Sequence, residues 1–300
     1  MAPVLFRLAH LTDPHIGPLP RPRRRELLGK RVTGYLNWRR GRHLVHDMAT
    51  LSHIVADVKA QNPDHIAMTG DIANIGLPAE FQLARKWLET LGPSEDVSFV
   101  PGNHDAYVRG SLPDLARAFA PWTTGETETP ARYPYLRVRG NVALIGLSSA
   151  VPTPFFIASG RLGRRQLEWA DAMLADCATR DLIRVVMLHH PPQVDAAGLA
   201  RGLIDAREFE EMIWRRGAEL ILHGHNHKTS VTYLDAGRSR KTPVVGAPSA
   251  SSARLAARHR AGYHVFEIAG HLQDYEIKAY ARGVLPTGAI GDLGVLTLSS

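Results

Sequence analysis

Val100-Pro101-Gly102-Asn103-His104-Asp105 sets a carboxamide, an imidazole and a carboxylate directly behind a short apolar run and a Pro-Gly pair. A run of that length ending in a tight turn reads as a strand. The same arrangement recurs on either side of it. Short apolar runs end at Leu11, Thr69, Val100, Leu147, Leu188 and Leu222, each a candidate interior strand. Five of them are followed by polar loops: Thr12-Asp13-Pro14-His15, Gly70-Asp71-Ile72-Ala73-Asn74, Asn103-His104-Asp105, His189-His190-Pro191-Pro192 and His223-Gly224-His225-Asn226-His227. In an α/β sheet the ligand crevice lies beyond the carboxyl ends of the strands. Segments spread over more than two hundred residues are thus expected to deliver Asp, Asn and His to one place.

Between the strands the period becomes helical. Leu44, Met48, Leu51, Val55 and Val58 share a face, predicting a helix that begins near Leu44. Phe81, Ala84, Leu88 and Leu91 predict a second, stopped by Gly92. Asp205 reads as an N-cap with Glu208 three residues on, ahead of Phe209, Met212, Ile213 and a stop at Gly217. Leu167, Ala170, Leu174 and Cys177 share another face, which makes Cys177 a core residue. After His227 the period falls to two, as in 262–268 and 272–281, so the chain is expected to finish with antiparallel strands. No repeat, linker or composition break interrupts it. The expectation is an α/β protein with helices on both sides of central sheets, one domain over 1–300 with an insertion at about 18–43.

The bulk numbers exclude several classes. The chain has 300 residues, 44% hydrophobic and 22% charged, as in a soluble globular enzyme. A single cysteine rules out an internal disulfide and a thiolate zinc site. No apolar run approaches the ~20 residues of a membrane-spanning helix. The stretch from Val4 to Leu11 reads as a first strand rather than a signal peptide, so the cytoplasm is the expected location. The net charge of +7 is concentrated: residues 21–42 hold nine basic side chains and Glu26, a local +8, leaving −1 for everything else. This is a neutral protein with one basic device.

The polar set has a definite chemistry. His225 and His227 can point different ways from one loop, and Asp13 and His15 share that spacing. Asp71 can bridge two cations through its two oxygens, while Asn103 offers a neutral carbonyl oxygen. Nitrogen and oxygen donors without thiolate suit Mn, Fe or Zn rather than calcium. Two such ions ~3.5–4 Å apart would generate a hydroxide near neutral pH and clamp an in-line displacement. A lone Asp-x-His or Gly-Asp is usually a surface turn. Five in order at successive strand ends are not. Together D-x-H, G-D, G-N-H-D, H-H-P and G-H-x-H resemble the calcineurin-like metallophosphoesterase superfamily from Asp13 to His227, with no ligand position vacant.

The resemblance implies a four-layer αββα double β-sandwich and two metal ions. One would be held by Asp13, His15, Asp71 and His227, the other by Asp71, Asn103, His189 and His225. His104 would stand next to the scissile phosphate, stabilising it or protonating the leaving oxygen, with Asp105 orienting its ring. The reaction implied is phosphodiester hydrolysis by a metal-bridging hydroxide. The layout is most similar to bacterial class III cyclic-nucleotide phosphodiesterases. His190 would contact phosphate or shape its loop, Asn74 has no assigned part, and His223 is expected to be packed.

Substrate choice turns on the insertion. Leu28, Val32, Tyr35 and Leu36 form an apolar stripe at helical spacing, with Trp38 nearby and Lys30, Arg31, Arg39, Arg40 and Arg42 as charge. That is the composition of a helix lying in a membrane interface, and similar inserts accompany phospholipase C-type members. The preferred substrate is therefore a phospholipid or similar amphiphilic phosphodiester, reached by peripheral contact with the inner face of an anionic membrane. Lys30, Arg31, Tyr35, Trp38, Arg39, Arg40 and His190 are the residues expected to meet substrate or membrane. The alternatives are a soluble cyclic-nucleotide phosphodiesterase, then a nuclease, disfavoured because the remaining surface is not basic, and last a non-catalytic interaction module.

Overall fold

The computed structural model describes residues 5–126, 133–194, 196, 198, 200–237 and 240–298, so Val4 lies outside the described residues. In chain order the strands are β1 (Phe6–Leu11), β2 (His65–Met68), β3 (Val97–Phe99), β4 (Tyr135–Arg139), β5 (Val142–Gly146), β6 (Ile183–Met187), β7 (Leu220–His223), β8 (Ser230–Asp235), β9 (Lys241–Gly246), β10 (Gly262–His271), β11 (Asp274–Val284) and β12 (Ile290–Leu296). The helices are α1 (Lys30–Arg40), α2 (Met48–Ala60), α3 (Pro78–Leu91), α4 (Leu112–Thr123), α5 (Arg164–Thr179) and α6 (Ala206–Arg216).

Two six-stranded sheets result, ordered β12-β11-β10-β1-β2-β3 and β4-β5-β6-β7-β9-β8. The period of two along each strand decides the layering. On β1, Phe6 and Leu8 point into a core shared with Val142, Leu144, Val185, Met187, Leu220 and Leu222 of the second sheet. Ala9 and Leu11 point the other way, onto Leu51, Ile54 and Val55 of α2 and Phe81 of α3. The second sheet does the same, turning Ala143, Ile145, Val186 and Ile221 toward α5 and α6. Helices thus cover both outer faces, and the architecture is the αββα double sandwich. Cys177 is fully buried in the α5 face.

Three expectations are corrected. α2 begins at Met48, because the Asp47 carboxylate accepts from the N–H groups of Ala49 and Thr50; Leu44 lies on a separate turn and is 72% exposed. Asp205 stands at the start of α6, but its carboxylate accepts from Leu162 and Gly163, the entry of α5. The strands after His227 are not all antiparallel, since β9 pairs in parallel with β7 while β10, β11 and β12 form the expected antiparallel set.

One buried ion pair ties β6 to the start of β7. Arg184 Nη2 and Nε donate to the two Glu219 oxygens at 2.7 and 2.9 Å, with the side chains 6% and 4% exposed. Removing one partner strands the other charge in the core. Glu219→Ala should therefore lose ~3–5 kcal/mol of stability, read as a lower urea midpoint; an unchanged midpoint would show that the pair is replaceable.

Candidate active site

The loops after β2, β3 and β7 line one cleft of about 540 Å³, and those after β1 and β6 are hydrogen-bonded to the β2 loop. Its loops are laced together before any side chain contributes. Asp13 N–H donates to Gly70 O and His15 N–H to Asp71 O, at 3.0 and 3.1 Å. A Cβ at Gly102 would overlap the Asp71 carboxylate, and one at Gly224 would overlap Thr12 Oγ1 and the Asp13 carboxylate. The glycines of the G-N-H-D and G-H-x-H motifs are therefore needed for close approach. Asp13, His15, Asp71, His225 and His227 all adopt left-handed backbone conformations, with φ from 40° to 68°. Strain of that kind persists where the surroundings over-determine it, and it gathers at functional sites.

The expected ligand atoms converge on two centres. Asp13, His15 and Asp71 bring one donor each within 4.8 Å of the others, and Asp71, His189 and His225 do the same. Asp71 belongs to both groups. Its Oδ2 lies 3.3 Å from His189 Nε2 and 3.9 Å from His15 Nε2. Its Oδ1 accepts from His104 N–H at 2.7 Å. His227 Nε2 stands 3.1 Å from Asp13 Oδ1 on the first side. On the second, Asn103 Oδ1 is 2.9 Å from His225 Nδ1 and 3.3 Å from His189 Nε2.

Orientation of the rings follows from what lies behind them. His15 Nδ1 bonds Ala73 O at 3.1 Å and His189 Nδ1 bonds Thr69 O at 2.7 Å. A carbonyl only accepts, so both rings carry hydrogen on Nδ1 and turn Nε2 toward the Asp71 carboxylate. Burial holds His15 and His225 well below the usual histidine range, keeping them neutral donors. At His189 burial is outweighed by the Asp71 carboxylate, which pushes the ring up to about 9. Asp13 Oδ1 and His15 Nε2 are buried without a hydrogen-bond partner, while the His225 nitrogen that meets Asn103 and His189 is Nδ1. Lone pairs orphaned in this way among converging nitrogen and oxygen donors fit two cations of the Mn, Fe or Zn kind.

His104 reaches the cleft, but Asp105 does not orient its ring. The Asp105 carboxylate accepts from the N–H groups of Asp71, Ala73 and Gly102 at 2.8 to 2.9 Å, knitting the two loops together. Burial and then Asp71 push that carboxyl up, while the N–H donors favour the ionised form. Glu80 gathers the N–H groups of Asn74, Ile75 and Leu77 in the same manner. The His104 ring is instead held by the Asn74 carbonyl, 2.5 Å from Nδ1, and by Arg42 Nη2, 2.9 Å from Nε2.

Sequence reasoning gave Arg42 no place in the site and missed His46 altogether. His46 bonds Ser251 Oγ through Nδ1 at 2.8 Å and forms a third close group with His15 and His227. Its one sequence signal is its position just ahead of the Asp47 N-cap.

The insertion forms a wall of the cleft. Lys30, Thr33 and Asn37, one face of α1, line it together with Tyr107, Phe156, Arg201 and Arg254. Tyr35 and Trp38 do not present a free apolar face; they pack against Leu19, Ile75, Leu77 and Tyr107. Arg31 is spent on Ile75 O, Gly76 O and Ser111 Oγ, so it anchors the helix. Lys30 Nζ holds Thr153 Oγ1 and Ile157 O while facing the cleft. Arg39 and Arg40 are exposed. His190 is fully buried, with Ser149 Oγ and Ala158 O on its two nitrogens, which removes it from substrate contact and makes it a loop-shaping residue. His223 is packed as expected.

The sequence profile of the calcineurin-like phosphoesterases matches residues 6–229, from β1 to the end of the loop after β7. The chain belongs to the calcineurin-like phosphoesterase family. Within that family it is 30% identical over 191 residues to a probable cyclic nucleotide phosphodiesterase of Synechococcus, covering 59% of this chain and 63% of that protein. It is 28% identical over 187 residues to the glycerophosphodiester phosphodiesterase GpdQ of Enterobacter lignolyticus, covering 57% and 59%. The chain thus spans less than two thirds of the length of these relatives. A dimetal phosphatase from Danio rerio has the same fold at a TM-score of 0.57 and 12% identity, covering 91% of this chain and 98% of that one.

Proposed function

We propose that this calcineurin-like phosphoesterase hydrolyses phosphodiesters at a two-cation centre, and that Asp71, common to both donor groups on the cleft floor, carries the reading. Asp13, His15, Asp71 and His227 hold one ion and Asp71, Asn103, His189 and His225 the other. The pair supplies positive charge for the phosphate oxygens and lowers the pKa of an attacking water. His104 contributes a neutral imidazole beside the phosphate, held in place by Asn74. Asp105 keeps the Asp71 and Gly102 loops in register.

The substrate is an amphiphilic phosphodiester such as a phospholipid. Supporting this, Phe156 at the cleft is 89% exposed, Leu255 next to cleft-lining Arg254 is 82% exposed, and Leu28 next to α1 is 76% exposed. Three segments thus turn large apolar side chains outward, and Arg23, Arg24, Arg39 and Arg40 of the insertion are exposed. Basic residues close to an anionic bilayer contribute up to ~1 kcal/mol each, screened by salt. A second reading, a soluble cyclic nucleotide, draws on the cleft face of Lys30, Thr33 and Asn37 and on the name of the Synechococcus relative. Among the described residues no helix is long and apolar enough to cross a membrane.

A panel with Mn²⁺ separates these readings: cyclic AMP, phosphatidylcholine vesicles doped with phosphatidylglycerol, single-stranded DNA and bis-p-nitrophenyl phosphate. Changing Arg23, Arg24, Arg39 and Arg40 to Ser should abolish vesicle binding and lipid hydrolysis while the rate on bis-p-nitrophenyl phosphate persists. Wild-type protein that ignores vesicles but turns over cyclic AMP would replace the lipid reading with the nucleotide one.

A further inference from the structure

The cleft holds a cation that makes no direct ion pair among the described residues, although Asp71 and Asp13 bear on it electrostatically. Arg42 lies on the short turn Arg42–Leu44 that ends the basic insertion, and it is half-buried. Its guanidinium lines the cleft beside Asp71, Asn103 and His104. Among the described residues its side chain makes one hydrogen bond, from Nη2 to His104 Nε2, and no ion pair. The other cations of the cleft are differently placed. Lys30 is engaged by Thr153 and Ile157, Arg201 donates to His225 O at 3.3 Å, and Arg254 stands exposed at the rim.

A guanidinium carries five N–H donors in a rigid fork that matches the oxygens of phosphate. Arg42 uses one of its nitrogens on His104, which leaves most of the fork open. Withdrawing such a charge from water costs free energy unless an anion completes it. The open donors share a cleft with Asp71 and Asn103, where the phosphate of the proposed substrate would lie. We propose that Arg42 is a catalytic residue delivered by the insertion, clamping a non-bridging oxygen of the scissile phosphate. The same guanidinium fixes the neighbouring imidazole as an acceptor at Nε2, so one side chain orders both the phosphate and His104. This inference rests on the phosphodiesterase reading and gives the insertion a task inside the site, apart from any membrane contact.

The test compares Mn²⁺-loaded wild type with Arg42→Ala and Arg42→Lys. Inorganic phosphate binding is followed by calorimetry, and turnover with bis-p-nitrophenyl phosphate. Arg42→Ala should keep its circular dichroism and metal content, bind inorganic phosphate ~10-fold or more weakly and lose ~10²–10³-fold in kcat. Millimolar guanidinium chloride should restore part of that loss, and sodium chloride at equal ionic strength should not. Arg42→Lys, keeping the charge but not the fork, should fall between the two, and it carries the test if the alanine variant misfolds. Wild-type phosphate affinity and turnover in the folded variant would overturn the proposal, as would a loss of turnover that guanidinium does not relieve. Should wild type hydrolyse no phosphodiester, the reading of function fails, and the phosphate titration decides Arg42 alone.

Discussion

Asp71→Asn is expected to abolish turnover of bis-p-nitrophenyl phosphate and to leave the protein short of metal, with little change in circular dichroism. Asn preserves the shape of the side chain and can still accept the His104 N–H at Oδ1. It puts an amide in place of the oxygen that faces His189 at 3.3 Å and His15 at 3.9 Å, and it removes the charge shared by the two donor groups. Because both cations lose the same carboxylate, the loss should reach ~10³-fold or more, equivalent to ~4 kcal/mol of transition-state stabilisation. Elemental analysis and single-turnover rates check it. Full activity of the variant, or of EDTA-treated protein shown to be metal-free, would remove the two-cation assignment.

His104→Ala should bind both metals and lose activity by ~10²–10⁴-fold. The hydrogen-bond pattern adds a finer expectation. Arg42 can only donate, so His104 Nε2 must accept and the proton must reside on Nδ1, where the Asn74 carbonyl takes it. A ring held this way has no proton on the nitrogen bonded to Arg42. The loss should therefore be similar for a p-nitrophenolate leaving group and for an alkoxide, the mark of a polar, positioning contribution. A much larger loss with the alkoxide would show that His104 protonates the leaving oxygen during turnover, and the Arg42 contact would then have to open.

The candidate ligands were legible for a simple reason. Each follows an apolar strand directly, and the position of a strand end in an α/β sheet is a local property of the chain. The layering was expected from the alternation of strands with helices and from the family resemblance. Runs such as β5, apolar on both faces, do not tell which residues meet the other sheet and which meet helices; packing assigns them. The insertion was read correctly as basic and helical but not in its orientation. A stripe of Leu28, Val32, Tyr35 and Leu36 fits a membrane or a protein core equally well. Only docking against Leu19, Ile75, Leu77 and Tyr107 divides it, half-burying Tyr35 and Trp38 and leaving Leu28, Val32 and Leu36 outside.

The contacts around His104 lay beyond any reading of spacing. Asp105 is next to His104 in sequence, yet its carboxylate turns to three N–H groups of the loops, because buried backbone donors left unpaired would cost more than a loosely held ring. Asn74 acts through its carbonyl, an atom that every residue has and no motif can flag. Arg42 and His46 come from a segment that the family motifs do not cover, and only the return of the chain from α1 toward α2 brings them to the cleft. By itself, the sequence determined the fold class, the strand ends and the donor types, since these follow from period and local chemistry. The tertiary structure decided which nitrogen of each imidazole is held by a backbone carbonyl, which carboxylate organises backbone and which cation stands beside His104, because each depends on how separate loops are brought together.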